Sequence, residues 1–373
     1  MTSMRWAMFA MAGLMGVSGW SQETVDSLAV AHVPVDTSVS ERPHFSALPT
    51  AYYTPETRIA LEAFAYLSFQ TDTAARKSNA RIFAAVTQNR QVTVDLPWQV
   101  FTAGERHRID GKLEVRKFPE YYYGLGNDTK EAQRALYTYR GVGMRNSALK
   151  QIEGHNYLGI FTEGRWLDAD SLPAFDAVDT PLRGANGYRF FGVGPSFVHD
   201  SRDVILCSTE GRYFELTATV NAAWFPEESE GANVYAMVNA DHRRFFCVRP
   251  NTVLAYQLVA RASWGDVPYR ELPALGGPLL HRGYYFGRFR DRHLWCAQAE
   301  VRQKLFWRLG GVAFASAGRV YPHLQGPLLE GIRPAAGAGL RFKLSKEDEA
   351  NIRFDVAWTP DSHGFYVYFA EVF

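Results

Sequence analysis

The sequence predicts an all-β chain, a sixteen-stranded antiparallel transmembrane β-barrel. Three observations carry that reading. Past residue 43, apolar and polar residues alternate with period two, and helical periodicity is scarce. The alternating runs are about 9–14 residues long, against ~5–6 for ordinary strands and ~9–11 for strands that span a bilayer. Aromatic clusters sit at the ends of runs, as at Tyr121-Tyr122-Tyr123, Tyr284-Tyr285-Phe286 and Trp295.

Taken in order, the N-terminus reads as a secretory signal peptide over residues 1–21. Arg5 supplies the positive charge, and Trp6 to Val17 is an uncharged apolar core. That core is shorter than the ~20 residues of a spanning helix, so cleavage after the small residues Ser18, Gly19 and Ser21 is favoured over an uncleaved anchor. Residues 22–43 are polar and contain Pro34 and Pro43. They read as a linker or a short plug, since even a stapled domain needs ~40 residues.

Residues 44–373 are expected to form the barrel. The alternation is plain in Phe214, Leu216, Ala218 and Val220 against Tyr213, Glu215, Thr217 and Thr219. It recurs in Ile352, Phe354, Val356 and Trp358 against Arg353, Asp355 and Ala357. Alternation alone fits a soluble sandwich, with its polar face wet, as well as a membrane barrel, with its polar face inside. Strand length, aromatic placement and export favour the barrel. Strands are expected at 44–53, 57–68, 80–88, 91–101, 107–118, 132–143, 147–161, 186–198, 211–223, 233–245, 251–264, 293–305, 308–318, 332–345, 350–358 and 364–373. Sixteen is even, as closed bacterial barrels require. The long connections 119–131, 162–185 and 265–292 then share the extracellular side, and the turn at 199–210 is long for the periplasmic side.

Composition excludes several functions. A net charge of +1 gives no electrostatic case for nucleic acid. Three cysteines, Cys207, Cys247 and Cys296, are too few and too scattered for a disulfide framework or a metal site. Gly192-Val193-Gly194 and Gly124-Leu125-Gly126 lack the strand–helix setting of a dinucleotide loop. No Gly-x-Ser-x-Gly elbow stands in the mature chain, and His199-Asp200-Ser201 are sequence neighbours rather than a triad. Neither an enzyme nor a cofactor is expected.

Four motifs carry a family resemblance. They are Phe118-Pro119-Glu120-Tyr121-Tyr122-Tyr123-Gly124-Leu125-Gly126-Asn127-Asp128-Thr129; Asp200-Ser201-Arg202-Asp203 with Gly211-Arg212-Tyr213; Arg282-Gly283-Tyr284 with Gly287-Arg288-Phe289-Arg290-Asp291; and Glu300-Val301-Arg302. In this order they resemble the barrel of the BamA/TamA superfamily, the bacterial surface antigens that assemble or translocate proteins at the outer membrane. The resemblance covers about residues 44–373. It implies that the loop holding Arg282, Gly283 and Tyr284 folds into the lumen, with Arg282 as a luminal cation and Glu300 as its partner. It implies that Asp200, Arg202 and Asp203 form a periplasmic turn. Where many members have a second acid, this chain has Ser316-Ala317-Gly318, so one leg of the usual lock is expected to be missing.

Pro49 lacks a backbone donor and suits a strand edge. With Phe373 in the last strand, it marks the expected seam between first and last strands. The resemblance implies outer-membrane lipids as surroundings, and a client protein or a partner bearing periplasmic domains, because relatives that handle clients carry such domains ahead of the barrel. Self-association stays open. Three functional readings remain: insertion or translocation of proteins or lipids, a gated or passive pore, and a structural surface barrel.

Overall fold

A computed structural model describes residues 43–54, 58–72, 75–88, 90–171, 182–203, 207–226, 231–324, 329–343, 351–369 and 371–373. The expected signal peptide at 1–21 and the linker through residue 42 lie outside the described residues.

Most of the described residues are in strands. The first group is β1 (His44–Thr54), β2 (Arg58–Phe69), β3 (Ser78–Thr87), β4 (Val92–Phe101), β5 (His107–Tyr122) and β6 (Ala135–Glu153). Next come β7 (Asn156–Ser171), β8 (Gly187–Asp200), β9 (Gly211–Trp224), β10 (Asn233–Arg249) and β11 (Thr252–Gly265). Two short strands, β12 (Ala274–Leu275) and β13 (Phe289–Arg290), pair within the long connection that follows. The last group is β14 (His293–Phe306), β15 (Leu309–Tyr321), β16 (Arg333–Lys343), β17 (Asn351–Trp358) and β18 (His363–Phe369). Apart from β12 and β13, every strand pairs antiparallel with the next in one sheet, and β14 takes the place beside β11. Among the described residues no ladder joins β1 to β18.

Which face lies inside resolves the ambiguity of the alternation. On β9 the enclosed side chains are Glu215, Thr217, Thr219 and Asn221, while Val220 is 61% exposed and Leu216 39%. On β17 Arg353, Asp355 and Ala357 are sealed, while Trp358 is 57% exposed. The sheet therefore rolls its polar face inward and turns its apolar face out. That inversion suits a wall standing in lipid, and a soluble sandwich would show the reverse. Contacts across the roll confirm its curvature. Arg333 of β16 donates to the backbone carbonyl of Asn127 in the β5–β6 connection at 2.6 Å.

Two expected strands are displaced. Residues 144–146 read as a turn between strands at 132–143 and 147–161, yet β6 runs nineteen residues and turns at Gly154-His155. Arg145 pairs with Lys112 on one side and Glu163 on the other. A polar run signals a turn only where the enclosed face is apolar, and here it is polar. The last strand also differs from the expected 364–373. β18 stops at Phe369, and Glu371, Val372 and Phe373 are buried inside the roll.

The connections divide between two ends. The long ones, after β5, β7 and β11, share what is here termed the loop end. The opposite, or turn, end carries the tight connections after β6 and β10, and also the segment that follows β18.

If the outward apolar face meets lipid, a buried cation there is costly. Val220→Arg should destabilise the folded protein in vesicles by about 2 kcal/mol or more, read by urea titration. An unchanged midpoint would mean that Val220 faces water.

Candidate functional site

The connection between β11 and β14 leaves the loop end, turns back and runs down the interior. Glu300, which its tip meets, lies seven residues along β14 from His293, roughly 24 Å at ~3.4 Å per residue. Its tip is Leu280-His281-Arg282-Gly283-Tyr284, and all five residues are buried.

Arg282 is 1% exposed. Its Nη1 donates to Asp355 Oδ2 of β17 at 2.6 Å, and its Nη2 donates to Glu300 Oε1 of β14. The guanidinium lies over the Phe314 ring of β15, 3.4 Å from the centroid. A planar fork can satisfy two carboxylates and still offer a face to an aromatic ring, which an ammonium cannot do. Gly283 follows with φ +111°, and a Cβ there would stand 2.5 Å from Thr359 Cγ2, so only glycine fits this bend. Its N–H donates to Tyr366 Oη of β18 at 2.8 Å, and its carbonyl accepts from Ser362 Oγ at 2.7 Å. Tyr284 stacks on His281 at 4.9 Å and donates to the Pro334 carbonyl at 3.2 Å.

Ser316 stands where the resemblance implies an acid. The structure supplies a second carboxylate from elsewhere. Asp355 comes from β17, three strands round from β14, while Ser316 Oγ lies 2.9 Å from His281 Nδ1. Burial pushes the His281 imidazole down to about 3, so it meets Ser316 as a neutral ring. Asp355 was visible in the sequence only as one charge on the polar face of a strand. Nothing local tied it to Arg282, because the contact spans 73 residues.

Each acid also holds a second arginine. Glu300 Oε2 accepts from Arg302 Nε at 2.8 Å, and Asp355 Oδ1 accepts from Arg341 Nη1 at 2.6 Å. Arg353 Nε stands 3.5 Å from Asp355, and Arg353 Nη2 donates to the Pro278 carbonyl of the loop at 3.1 Å.

The base of the loop is held by the tyrosine-and-glycine motif of the β5–β6 connection. Gly126 donates its N–H to the Arg290 carbonyl at 2.7 Å. Arg270 Nη2 donates to Glu120 Oε2 at 2.7 Å, and Arg290 Nη2 reaches Glu120 Oε1 at 3.4 Å. Arg288 donates to the Thr129 carbonyl at 2.6 Å. Tyr285 packs against Tyr121 and Tyr123 at 5.8 and 5.6 Å, and burial holds its phenol well above the ordinary range. Two motifs about 160 residues apart thus form one body. A cavity of about 40 Å³ remains beside it, lined by Arg145, Glu163, Arg261 and Phe286 among others, room for a few waters.

The motif Asp200-Ser201-Arg202-Asp203 builds the turn after β8. Asp200 accepts from Arg202 Nε and Nη2, both at 2.7 Å, and from Arg108 Nη1 of β5 at 2.8 Å. Asp203 accepts the N–H groups of Thr209 and Glu210 at 3.0 and 3.2 Å, closing the turn on itself. The two expected seam residues separate. Pro49 stays in β1, exposed and opposite Ala63. Phe373 is not in the last strand. It stands inside the roll, its ring 6.3 Å from Phe245 of β10 and its carbonyl 2.7 Å from Arg302 Nη2.

Breaking a buried ion pair costs about 3–5 kcal/mol when one partner stays charged. Asp355→Asn should therefore release the loop tip, read as faster tryptic cleavage within 276–288 and a lower melting temperature. Ser316→Asp should fail to rescue it, since that side chain faces His281. Rescue would show that the second acid belongs at Ser316.

Comparison with known proteins agrees with this architecture. BamA from Haemophilus ducreyi lacking POTRA domains 1–3 superposes with TM-score 0.56 at 12% identity, over 88% of this chain and 69% of that one. CdiB from Escherichia coli gives TM-score 0.56 at 15% identity, over 92% of this chain and 63% of that one. CdiB from Acinetobacter baumannii gives 0.51 at 9%, over 87% and 59%. Identities this low speak for the fold. No curated protein matches the sequence significantly. The Omp85 superfamily domain matches residues 68–367, most of the chain and every strand from β3 to β17. The chain belongs to the Omp85 superfamily.

Proposed function

We propose that this chain is an outer-membrane barrel that aids the insertion or translocation of proteins or lipids. The observation that carries the reading is the loop locked by Arg282 between Glu300 and Asp355. In a wall whose outer face is apolar, a long connection buried at mid-depth and held at both base and tip is a built part. Family membership supports the same reading, and so does the likeness to BamA and CdiB barrels.

Further parts of the reading go with it. The chain is exported by a signal peptide over residues 1–21, and β1 closes on β18 to complete a sixteen-strand barrel around Pro49. Arg282, Gly283 and Tyr284 form the loop tip, Glu300 is the luminal partner, and Asp200, Arg202 and Asp203 shape a periplasmic turn. Outer-membrane lipids surround the apolar face. A client protein, or a partner bearing periplasmic domains, meets the turn end. The role is mechanical.

Depletion of the protein from its cell should lower the amount of other outer-membrane proteins or disturb lipid asymmetry between the leaflets. An unchanged inventory of both would reject the proposal. Because the loop occupies the interior, planar-bilayer conductance should be small for the native chain and rise in Arg282→Ala. A large native conductance that the substitution leaves alone would favour the pore.

A further inference from the structure

The segment Glu371-Val372-Phe373 lies inside the roll at 4%, 8% and 2% exposure. Two things hold it. Arg341 Nε donates to Glu371 Oε2 at 2.7 Å, and Arg302 Nη2 donates to the Phe373 carbonyl at 2.7 Å. Val372 and Phe373 pack on Phe245 of β10 and Ala255 of β11, with Leu279 of the inward loop against the same cluster. Arg302 also lies 5.2 Å from the centroid of the Phe373 ring.

The same two arginines bind the acids that hold Arg282. One path runs from Arg282 through Glu300 and Arg302 to Phe373. The other runs from Arg282 through Asp355 and Arg341 to Glu371. Beside them the Gly283 N–H bonds to Tyr366 of β18, the strand this segment follows. Loop and segment thus meet through charge, through packing at Leu279, and through β18.

We propose that the inward loop and the Glu371–Phe373 segment form one cooperative latch, in which docking of either stabilises docking of the other. The sign follows from the charges. Arg282, Arg302, Arg341 and Arg353 face Glu300, Asp355 and Glu371, four cations against three anions. Without Glu371, Arg282 faces three cations against two anions instead of three against three, and is held less strongly. Without Arg282, Glu371 faces three cations against two anions instead of four against two, and its attraction weakens. Both losses act the same way, and loss of the Leu279 contact adds to each. The state of a connection that enters from the loop end is thereby conveyed to the end of the last strand at the turn end. This linkage rests on the contacts alone and holds whatever the barrel transports.

Hydrogen–deuterium exchange on the full chain in lipid nanodiscs tests it. Peptides covering 276–286 and 363–373 report the two halves. Glu371→Gln keeps its volume and removes one charge, so it leaves the rest of the sheet in place. It should speed exchange in 276–286 by about fivefold, the lower range of ordinary coupling between sites. Arg282→Ala should speed exchange in 363–373 by a similar factor, with β6 and β7 unchanged as the control for an intact sheet. Exchange that rises only in the half carrying the substitution overturns the proposal. If Arg282→Ala does not fold, the Glu371→Gln result decides alone.

Discussion

The structure depends on how a guanidinium can be kept away from water. Arg282 is buried at a depth where an unpaired charge would cost several kcal/mol. Two carboxylates and an aromatic face offset that cost only while all three stay in place. Their strands are β14, β17 and β15, so a single side chain fixes the spacing of a large sector of the wall. The arginines beyond the two acids extend the same constraint to β16 and to the segment after β18.

The constraint has a second end. The loop is also anchored where it enters, by Glu120 of β5 and Gly126 of the β5–β6 connection. Between the two anchors it carries buried aromatic and apolar side chains, among them Leu275, Tyr284 and Phe289, into an interior whose walls are largely polar. Polar walls thus enclose an apolar strap, and the strap's own charges meet their counterparts at the base and at the tip. This combination explains how the same chain can be polar inside and still tightly packed.

Much of this was legible in the sequence, and the exceptions share a cause. Period two and long runs gave the sheet because lipid outside and charges inside impose a strict alternation. Arg282 and Glu300 were legible because both sit in local motifs next to one another in the chain. Asp355 was not, because its partner is distant and its own neighbourhood is an ordinary strand. The turn at Gly154 was not legible because residues 144–146, with Arg145 and Asn146, look like a break only if the interior is assumed apolar. Phe373 was assigned to the last strand because alternation carries straight through it. No local pattern shows that Arg302 and Phe245 draw the segment inward.

The source of the second acid has a consequence for the order of assembly. Glu300 is contributed by β14, but Asp355 arrives only with β17, and Tyr366 only with β18. Until those strands have joined the sheet, Arg282 has an incomplete site, and a half-paired buried cation is worse placed than one left in water. Closing so long a connection early would also lose chain entropy without the contacts that compensate for it. Loop docking is therefore a late event in folding, and a docked loop certifies that the final strands are already in the wall.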